Sequence, residues 1–259
     1  MNGKGKNRMT KAIILAAGLG TRLRPITSDK PKALVKIDGI PLLEYAILHC
    51  KYYGINDIII NVHHFAAQIT DHLKQNNNYG INIEISDETD ELLETGGAIK
   101  KAEHFFVGCS EILAYNVDVL TDLNLSELID FHNSISPFAT LAVRNRKTSR
   151  YILIDQSKRM IGWKNMATNE TLIKVVPHSR IKPLGFSGIQ VLSPEIFSSF
   201  KNYPSRFSIM DAYIDICKEK NILSYKHDQT FWMDIGKLDM LAEADKILSV
   251  DNFLKKKFH

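Results

Sequence analysis

Asp118 and Asp234 each follow a short apolar run, where a strand end would hold a carboxylate out toward a ligand. Mg²⁺ takes one or two such carboxylates from a protein and completes its shell with phosphate oxygens and water. Upstream, Gly18 and Gly20 flank one residue in Ala17-Gly18-Leu19-Gly20-Thr21-Arg22-Leu23-Arg24-Pro25. Glycines at that spacing let backbone amides approach phosphate oxygens with no Cβ in the way. Arg22, Arg24, Lys30 and Lys32 then place four cations within eleven residues, which suits a polyphosphate better than a nicotinamide. The loop is not a P-loop, since no Gly-Lys-Ser/Thr follows, and Leu23 stands where a dinucleotide fingerprint needs its third glycine. Each residue alone has a plainer reading: a turn or helix cap for an Asp, a solvated position for a Lys, a tight turn for the glycines.

These groups become a site only if a sheet gathers them, and open α/β sheets collect ligands beyond the carboxyl ends of their strands. Apolar runs at 11–16, 58–62, 81–85, 112–115 and 138–143 read as strands. Between them 42–53, 65–75, 97–105 and 125–132 read as helices. This alternation predicts βαβ units. From about 150 the rhythm changes. Segments 151–154 and 160–163 flank a hairpin-like turn, 186–192, 222–225 and 231–235 read as strands, and 194–200 and 209–218 as helices before a closing helix at 238–248. The expected fold is α/β, with a mixed, mostly parallel sheet and helices on both faces. One domain is expected over 11–250, with a first half at 11–145, a second at 146–236 and a closing helix at 237–250. A basic tail flanks it at each end, 1–10 (expected disordered) and 251–259.

The chain has 259 residues, 44% hydrophobic and 24% charged, enough to bury a core and too apolar for disorder. With 14 Gly and 8 Pro it is neither collagen-like nor low-complexity. Cys50, Cys109 and Cys217 form no CxxC pair, which points to a reducing, cytoplasmic setting. No apolar run reaches the roughly 18 residues of a membrane span. The net charge of +4 comes from the two tails, leaving 11–250 at −1, so no nucleic-acid partner is indicated. His63 and His64 are adjacent and point to different sides of the chain, favouring packing or capping over a shared metal ion.

The run Leu15-Ala16-Ala17-Gly18-Leu19-Gly20-Thr21-Arg22-Leu23-Arg24-Pro25, with Lys30-Pro31-Lys32-Ala33-Leu34, resembles the signature of the sugar-phosphate nucleotidyltransferases. Glu94-Thr95-Gly96-Gly97-Ala98 resembles that family's Gly-rich nucleobase loop, and Asn116-Val117-Asp118 its Asn-Gly-Asp. Phe186-Ser187-Gly188-Ile189 resembles a sugar-pocket strand, and Trp232-Met233-Asp234-Ile235-Gly236 a second metal motif. The resemblance runs over about 11–248. Within the family it is strongest to the N-acetylmuramate 1-phosphate uridylyltransferases, then to the mannose-1-phosphate guanylyltransferases.

That resemblance implies a Rossmann-like, GT-A-like fold and Mg²⁺-dependent attack of a sugar 1-phosphate on the α-phosphorus of a nucleoside triphosphate. UTP with N-acetylmuramate 1-phosphate, in cell-wall sugar salvage, is the first pair implied. GTP with mannose or heptose 1-phosphate is the alternative. The implied partners are these small molecules alone, for a monomer or small homo-oligomer. Arg22, Lys32 and Asp118 are the implied catalytic residues, and Asp118 and Asp234 the metal ligands. Leu15, Ala16, Ala17, Gly18, Gly20, Thr21, Arg22, Lys32, Glu94, Gly96, Gly97 and Asn116 are the implied nucleotide contacts, the 96–97 glycines leaving room for the base. Tyr151, Trp163, Lys164, Ser187 and Gly188 are implied at the sugar phosphate. Val117 in place of the motif glycine raises a second class, a catalytically silent nucleotide-sugar sensor. Retention of Arg22, Lys32, Asp118 and Asp234 argues against it. A dinucleotide-dependent oxidoreductase fails on Leu23 and the basic loop.

Overall fold

A computed structural model describes residues 8–177 and 180–258. The first half runs β1 (Thr10–Leu15), β2 (Lys36–Ile37), β3 (Ile40–Pro41), α1 (Leu42–Tyr52), β4 (Asp57–Val62), α2 (Ala66–Gln75), β5 (Asn82–Asp87), α3 (Glu94–Lys101), β6 (Glu111–Asn116), β7 (Val119–Thr121), α4 (Leu125–Ile135) and β8 (Ala139–Arg144). The second runs β9 (Arg150–Ile154), β10 (Met160–Asn165), β11 (Glu170–Ile173), β12 (Lys182–Leu192), α5 (Ile196–Phe200), α6 (Ile209–Ile216), β13 (Ile222–Lys226), β14 (Trp232–Asp234), α7 (Leu238–Val250) and α8 (Phe253–Phe258).

The main sheet follows β11-β10-β9-β12-β6-β1-β4-β5, with β8 attached to β12 and β13 to β8. Strands β6, β1, β4 and β5 are parallel. The near-continuous apolar runs of β6, β1 and β4 fit burial on both faces, whereas the edge strand β5 alternates Ile83 and Ile85 with polar residues. On one face Ile13, Ile59 and Ala114 pack with Ile99 of α3 and Tyr213 of α6. On the other, Ile14, Ile58 and Ile60 pack with Ile47 of α1 and Ile69 of α2. The period-two alternation of strands thus dictates helices on both sides.

Strand β12 turns the sheet antiparallel. Residues 182–184 pair with β9 and 189–192 with β6, with a register shift between Phe186 and Gln190. That irregularity bends the strand at Ser187-Gly188 and re-aims its side chains. Gly188 has φ 80, and a Cβ there would come within 2.7 Å of Val119 Cγ2.

Two expectations are revised. Helix α3 starts at Glu94 rather than 97, and a 3-10 turn carries 102–106. The expected C-terminal tail is instead α8, with Leu254 and Phe258 buried against α1 and α7. Leu254 and Phe258, four residues apart on either side of Lys255, Lys256 and Lys257, give that helix one face to bury. Residues 1–7 of the expected N-terminal tail lie outside the described residues, and Thr10 already pairs with Glu111 in the sheet. Among the described residues no helix is long and apolar enough to cross a membrane.

Candidate active site

Two cavities meet beyond the carboxyl ends of β1 and β6. One, of about 530 Å³, is lined by 15–23, Lys32, Glu94, Thr95, Asn116 and Asp118 among others. The other, of about 350 Å³, is lined by Tyr151, Trp163, Ser187, Gly188, Trp232 and Asp234 among others. Leu15, Arg22, Thr95, Asn116 and Asp118 line both and form the junction.

The loop after β1 is shaped by a left-handed Gly20 (φ 65), whose carbonyl accepts from Thr27 Oγ1 at 2.8 Å. A Cβ on Gly20 would press on Thr27 and on Lys32 Cβ at 3.1–3.2 Å, so the glycine lets the loop fold back over the lysine. The turn puts Arg22 at the junction. Gly18 has nothing within 4 Å of its would-be Cβ and lines the first cavity. Arg24 and Lys30 line neither cavity.

Lys32 is 7% exposed and ion-paired with Asp118 Oδ2. A buried ammonium demands such a partner. Asp118 lies in the turn between β6 and β7, and its carbonyl accepts from Ile235 N–H at 2.9 Å. Asp234 stands opposite Val119 in the β7–β14 ladder, so pairing of two three-residue strands sets the carboxylates side by side. Burial, and then the negative charge of Asp118, raise the Asp234 pKa above the ordinary carboxylate range, against Lys32, Arg146 and Arg22. Asp234 Oδ1 is buried with no hydrogen-bond partner. Among the described residues no group of three or more His, Cys, Asp or Glu could hold a metal ion. Two carboxylates, one with an orphaned oxygen, are nonetheless a set that suits a hard divalent cation sharing its shell with phosphates. Val117 is 5% exposed and packs in the core with Tyr115 and Ile189.

On the first cavity's floor, the Ala16 amide donates to Asn61 Oδ1 at 2.7 Å, Asn61 Nδ2 to Glu88 Oε1 at 2.9 Å, and Leu93 N–H to Glu88 Oε2 at 3.1 Å. The Ala16 N–H is therefore engaged within the protein. Asn61 and Glu88 both line the cavity, and burial raises the Glu88 pKa. The sequence reading passed over both, although each sits at or just past a strand's carboxyl end, the rule that singled out Asp118. His63 Nδ1 donates to the Glu88 carbonyl at 2.6 Å, and the His64 ring packs against Phe65.

Gly96 and Gly97 line neither cavity. Both amides donate to the Phe207 carbonyl, at 2.9 and 3.2 Å. Their bare Cα atoms admit the 205–207 segment rather than a base, which corrects the expectation for these two glycines. Glu94, beside them, lines the first cavity with φ 61 and an ion pair to Arg206 Nε at 3.1 Å.

In the second cavity Ser187 Oγ bonds His227 Nε2 at 2.7 Å, and Trp232 Nε1–H donates to the Ser187 carbonyl at 2.9 Å. Burial lowers the His227 pKa to about 4, so the ring is neutral at pH 7. Trp163 lines the cavity and Lys164 does not, because successive residues of β10 face opposite ways. Lys164 is thus not brought to the site expected for it.

The family model described as nucleotidyl transferase matches residues 11–249. The chain is 27% identical over 241 residues to N-acetylmuramate alpha-1-phosphate uridylyltransferase of Caulobacter vibrioides, covering 90% of this chain and 95% of that protein. It is 30% identical over 235 residues to mannose-1-phosphate guanyltransferase of Saccharomyces cerevisiae, covering 87% of this chain and 61% of that one. The crystal structure of HddC from Yersinia pseudotuberculosis, complexed with GMP-PN, superimposes with a TM-score of 0.73 at 23% identity, over 92% of this chain and 99% of that one.

Proposed function

The chain belongs to the nucleotidyl transferase family, as a sugar-1-phosphate nucleotidylyltransferase, and from that premise we propose that its two cavities take a nucleoside triphosphate and a sugar 1-phosphate. The observation that carries this is the shared junction, where Arg22 and Asp118 line both cavities beside Lys32 and Asp234. An acceptor phosphate oxygen bonds to the α-phosphorus there while the bond to the α–β bridging oxygen breaks, releasing pyrophosphate. Both reactants are anions, so the work is to hold them in line and offset their repulsion. Arg22 and Lys32 meet the phosphate charge, and their contacts strengthen as charge develops on the leaving pyrophosphate. Mg²⁺, held by Asp118 and Asp234, supplies the remaining charge neutralisation when bound.

UTP with N-acetylmuramate 1-phosphate is the preferred pair, a step of cell-wall sugar salvage, supported by a uridylyltransferase relative that aligns over nearly its whole length. GTP with mannose or heptose 1-phosphate is the second reading, supported by the 30% identity to the yeast guanyltransferase, of which the chain spans 61%. Purified protein with Mg²⁺ and a matrix of UTP, GTP, CTP and dTTP against sugar 1-phosphates is expected to release pyrophosphate, fastest with the first pair. Silence across the matrix overturns the reaction, and a faster GTP pair overturns the base assignment.

A further inference from the structure

The second cavity holds a cation that sequence reasoning passed over. Arg146, just past β8, runs its stem across Gly185, where a Cβ would come within 2.8 Å of Arg146 Cγ and 2.9 Å of Nε. Its guanidinium carbon lies 4.7 Å from the centroid of the Trp232 ring, and Nη2 donates to the Phe186 carbonyl at 3.0 Å. The chain on either side is pinned: Asn145 N–H donates to Asp228 Oδ1 at 2.9 Å, and Thr148 N–H to Tyr151 OH at 3.2 Å. A missing side chain, an aromatic plane and a carbonyl therefore hold this fork in one place against the cavity wall.

Among the described residues no carboxylate lies within ion-pair distance of the held charge, and the Arg146 Nε is buried without a hydrogen-bond partner. Desolvation disfavours the cation and Asp234 favours it only from a distance. A guanidinium stays charged in a protein, and a desolvated charge is costly until an opposite one arrives. Its planar donor array, already immobilised, matches the paired oxygens of a phosphate or carboxylate.

We propose that Arg146 binds the phosphate of the acceptor sugar 1-phosphate, the role the sequence had given to Lys164. This rests on reading the second cavity as the acceptor site. The acceptor phosphate lies over Trp232 and toward Asp234, on the junction side of the cavity, and the sugar extends toward Tyr151 and Trp163.

The test uses the chain's two tryptophans, Trp163 and Trp232, both of which line this cavity. In a Trp163→Phe background the emission reports Trp232 alone. Glucose 1-phosphate and glucuronic acid 1-phosphate, titrated without nucleotide, are expected to change it saturably. Adding Arg146→Gln is expected to weaken both by about tenfold or more, and Arg146→Lys by less, since the charge survives without the fork. Thermal unfolding checks that both variants fold, and Arg146→Lys serves where Arg146→Gln does not. In turnover, the acceptor KM should rise while the nucleotide KM stays within about twofold of wild type. Weakening confined to glucuronic acid 1-phosphate would mean that Arg146 reads a sugar carboxylate, overturning the phosphate assignment. Unchanged affinity for both sugars, or an equal loss of UTP affinity, overturns it as well. Saturable, Arg146-dependent binding in a protein that turns over no substrate pair would instead sustain this assignment and overturn the reaction.

Discussion

Gly97 lies so close to the Ser205 carbonyl that a Cβ on it would come within 2.1 Å of that oxygen. Gly96 stands likewise against the Phe207 ring, at 2.3 Å. Phe207 N–H returns a bond to the Leu93 carbonyl at 3.2 Å, and Ile209 N–H donates to Thr95 Oγ1 at 3.0 Å. The start of α3 and the segment entering α6 are thus one strut, and the strut holds Glu94 and Thr95 at the first cavity.

Gly97→Ala must push the two backbones apart. We expect it to lower stability by about 2 kcal/mol, as overpacking does, and to raise the nucleoside triphosphate KM. Gly18→Ala meets no atom within 4 Å, so it should leave the melting temperature unchanged while its methyl group intrudes on the first cavity. Differential scanning fluorimetry with nucleotide titration separates the two. A Gly97→Ala protein as stable as wild type would show that the strut yields freely.

The Lys32–Asp118 pair is unequally buried, with side-chain exposures of 9% and 23%. Lys32 also offsets Asp234, so removing the lysine leaves two neighbouring carboxylates unopposed, whereas removing Asp118 leaves Lys32 facing Asp234 and relieves one like-charge repulsion. Lys32→Met should therefore destabilise by about 2 kcal/mol, Asp118→Asn by less, and the double variant by less than the sum. Either single variant should lose turnover by at least about a hundredfold. Urea unfolding beside pyrophosphate-release assays gives both numbers, and additive stability losses would contradict the coupling.

The parallel half was legible because buried strands such as 11–16 and 58–62 are mostly apolar, broken only by Lys11 and Asn61, and lead into glycine or polar groups. Asp118 and Asp234 follow apolar runs but were paired only by the motifs they resemble, and the ladder between β7 and β14 explains how residues so far apart in sequence become neighbours. The purpose of Gly96 and Gly97 was not legible, because the atoms they make room for arrive from 205–207. Lys164 misled for a simpler reason. A motif fixes a position along a strand, whereas the face depends on register, and Trp163 takes the cavity side. Arg146 escaped notice because its isolation depends on Gly185, Phe186 and Trp232, which only the bend in β12 and the β7–β14 pairing bring to it.

Asp234 keeps a buried oxygen without a hydrogen bond, beside a second carboxylate. Arrangements that serve ligands are commonly strained in their absence. Asp234→Asn removes one of two like charges, so without substrates it should be slightly more stable than wild type, by about 1 kcal/mol. With Mg²⁺ and substrates it should lose turnover. Chemical denaturation in EDTA, paired with the activity assay, checks both halves. An inactive and less stable Asp234→Asn protein would mean that this carboxylate braces the fold.

Burial lowers the pKa values of His49, His72, His132 and His227, most strongly those of the three most buried, His49, His132 and His227. His49 lies between the Leu123 carbonyl and Tyr115 OH, His132 between Thr140 Oγ1 and Ser193 Oγ, and His227 between Ser187 Oγ and Thr230 Oγ1. Burial lowers their pKa values from 6.5 to about 3, 4 and 4. The unfolded chain takes up these protons from about pH 6.5 downward and the folded chain does not, so their stability contribution is intact above pH 6.5 and shrinks as pH falls toward 4. Each site removes up to about 1.4 kcal/mol per pH unit once the unfolded imidazole is protonated, and the three together should remove about 5 kcal/mol between pH 6.5 and 5. Urea titrations at half-unit steps should therefore give a stability slope that His132→Gln reduces by about a third. His227→Gln should reduce it equally and also raise the acceptor KM, since only His227 bonds a residue of the second cavity, Ser187. A flat profile from pH 7 to 5 would show that these rings open to solvent and protonate in the folded state.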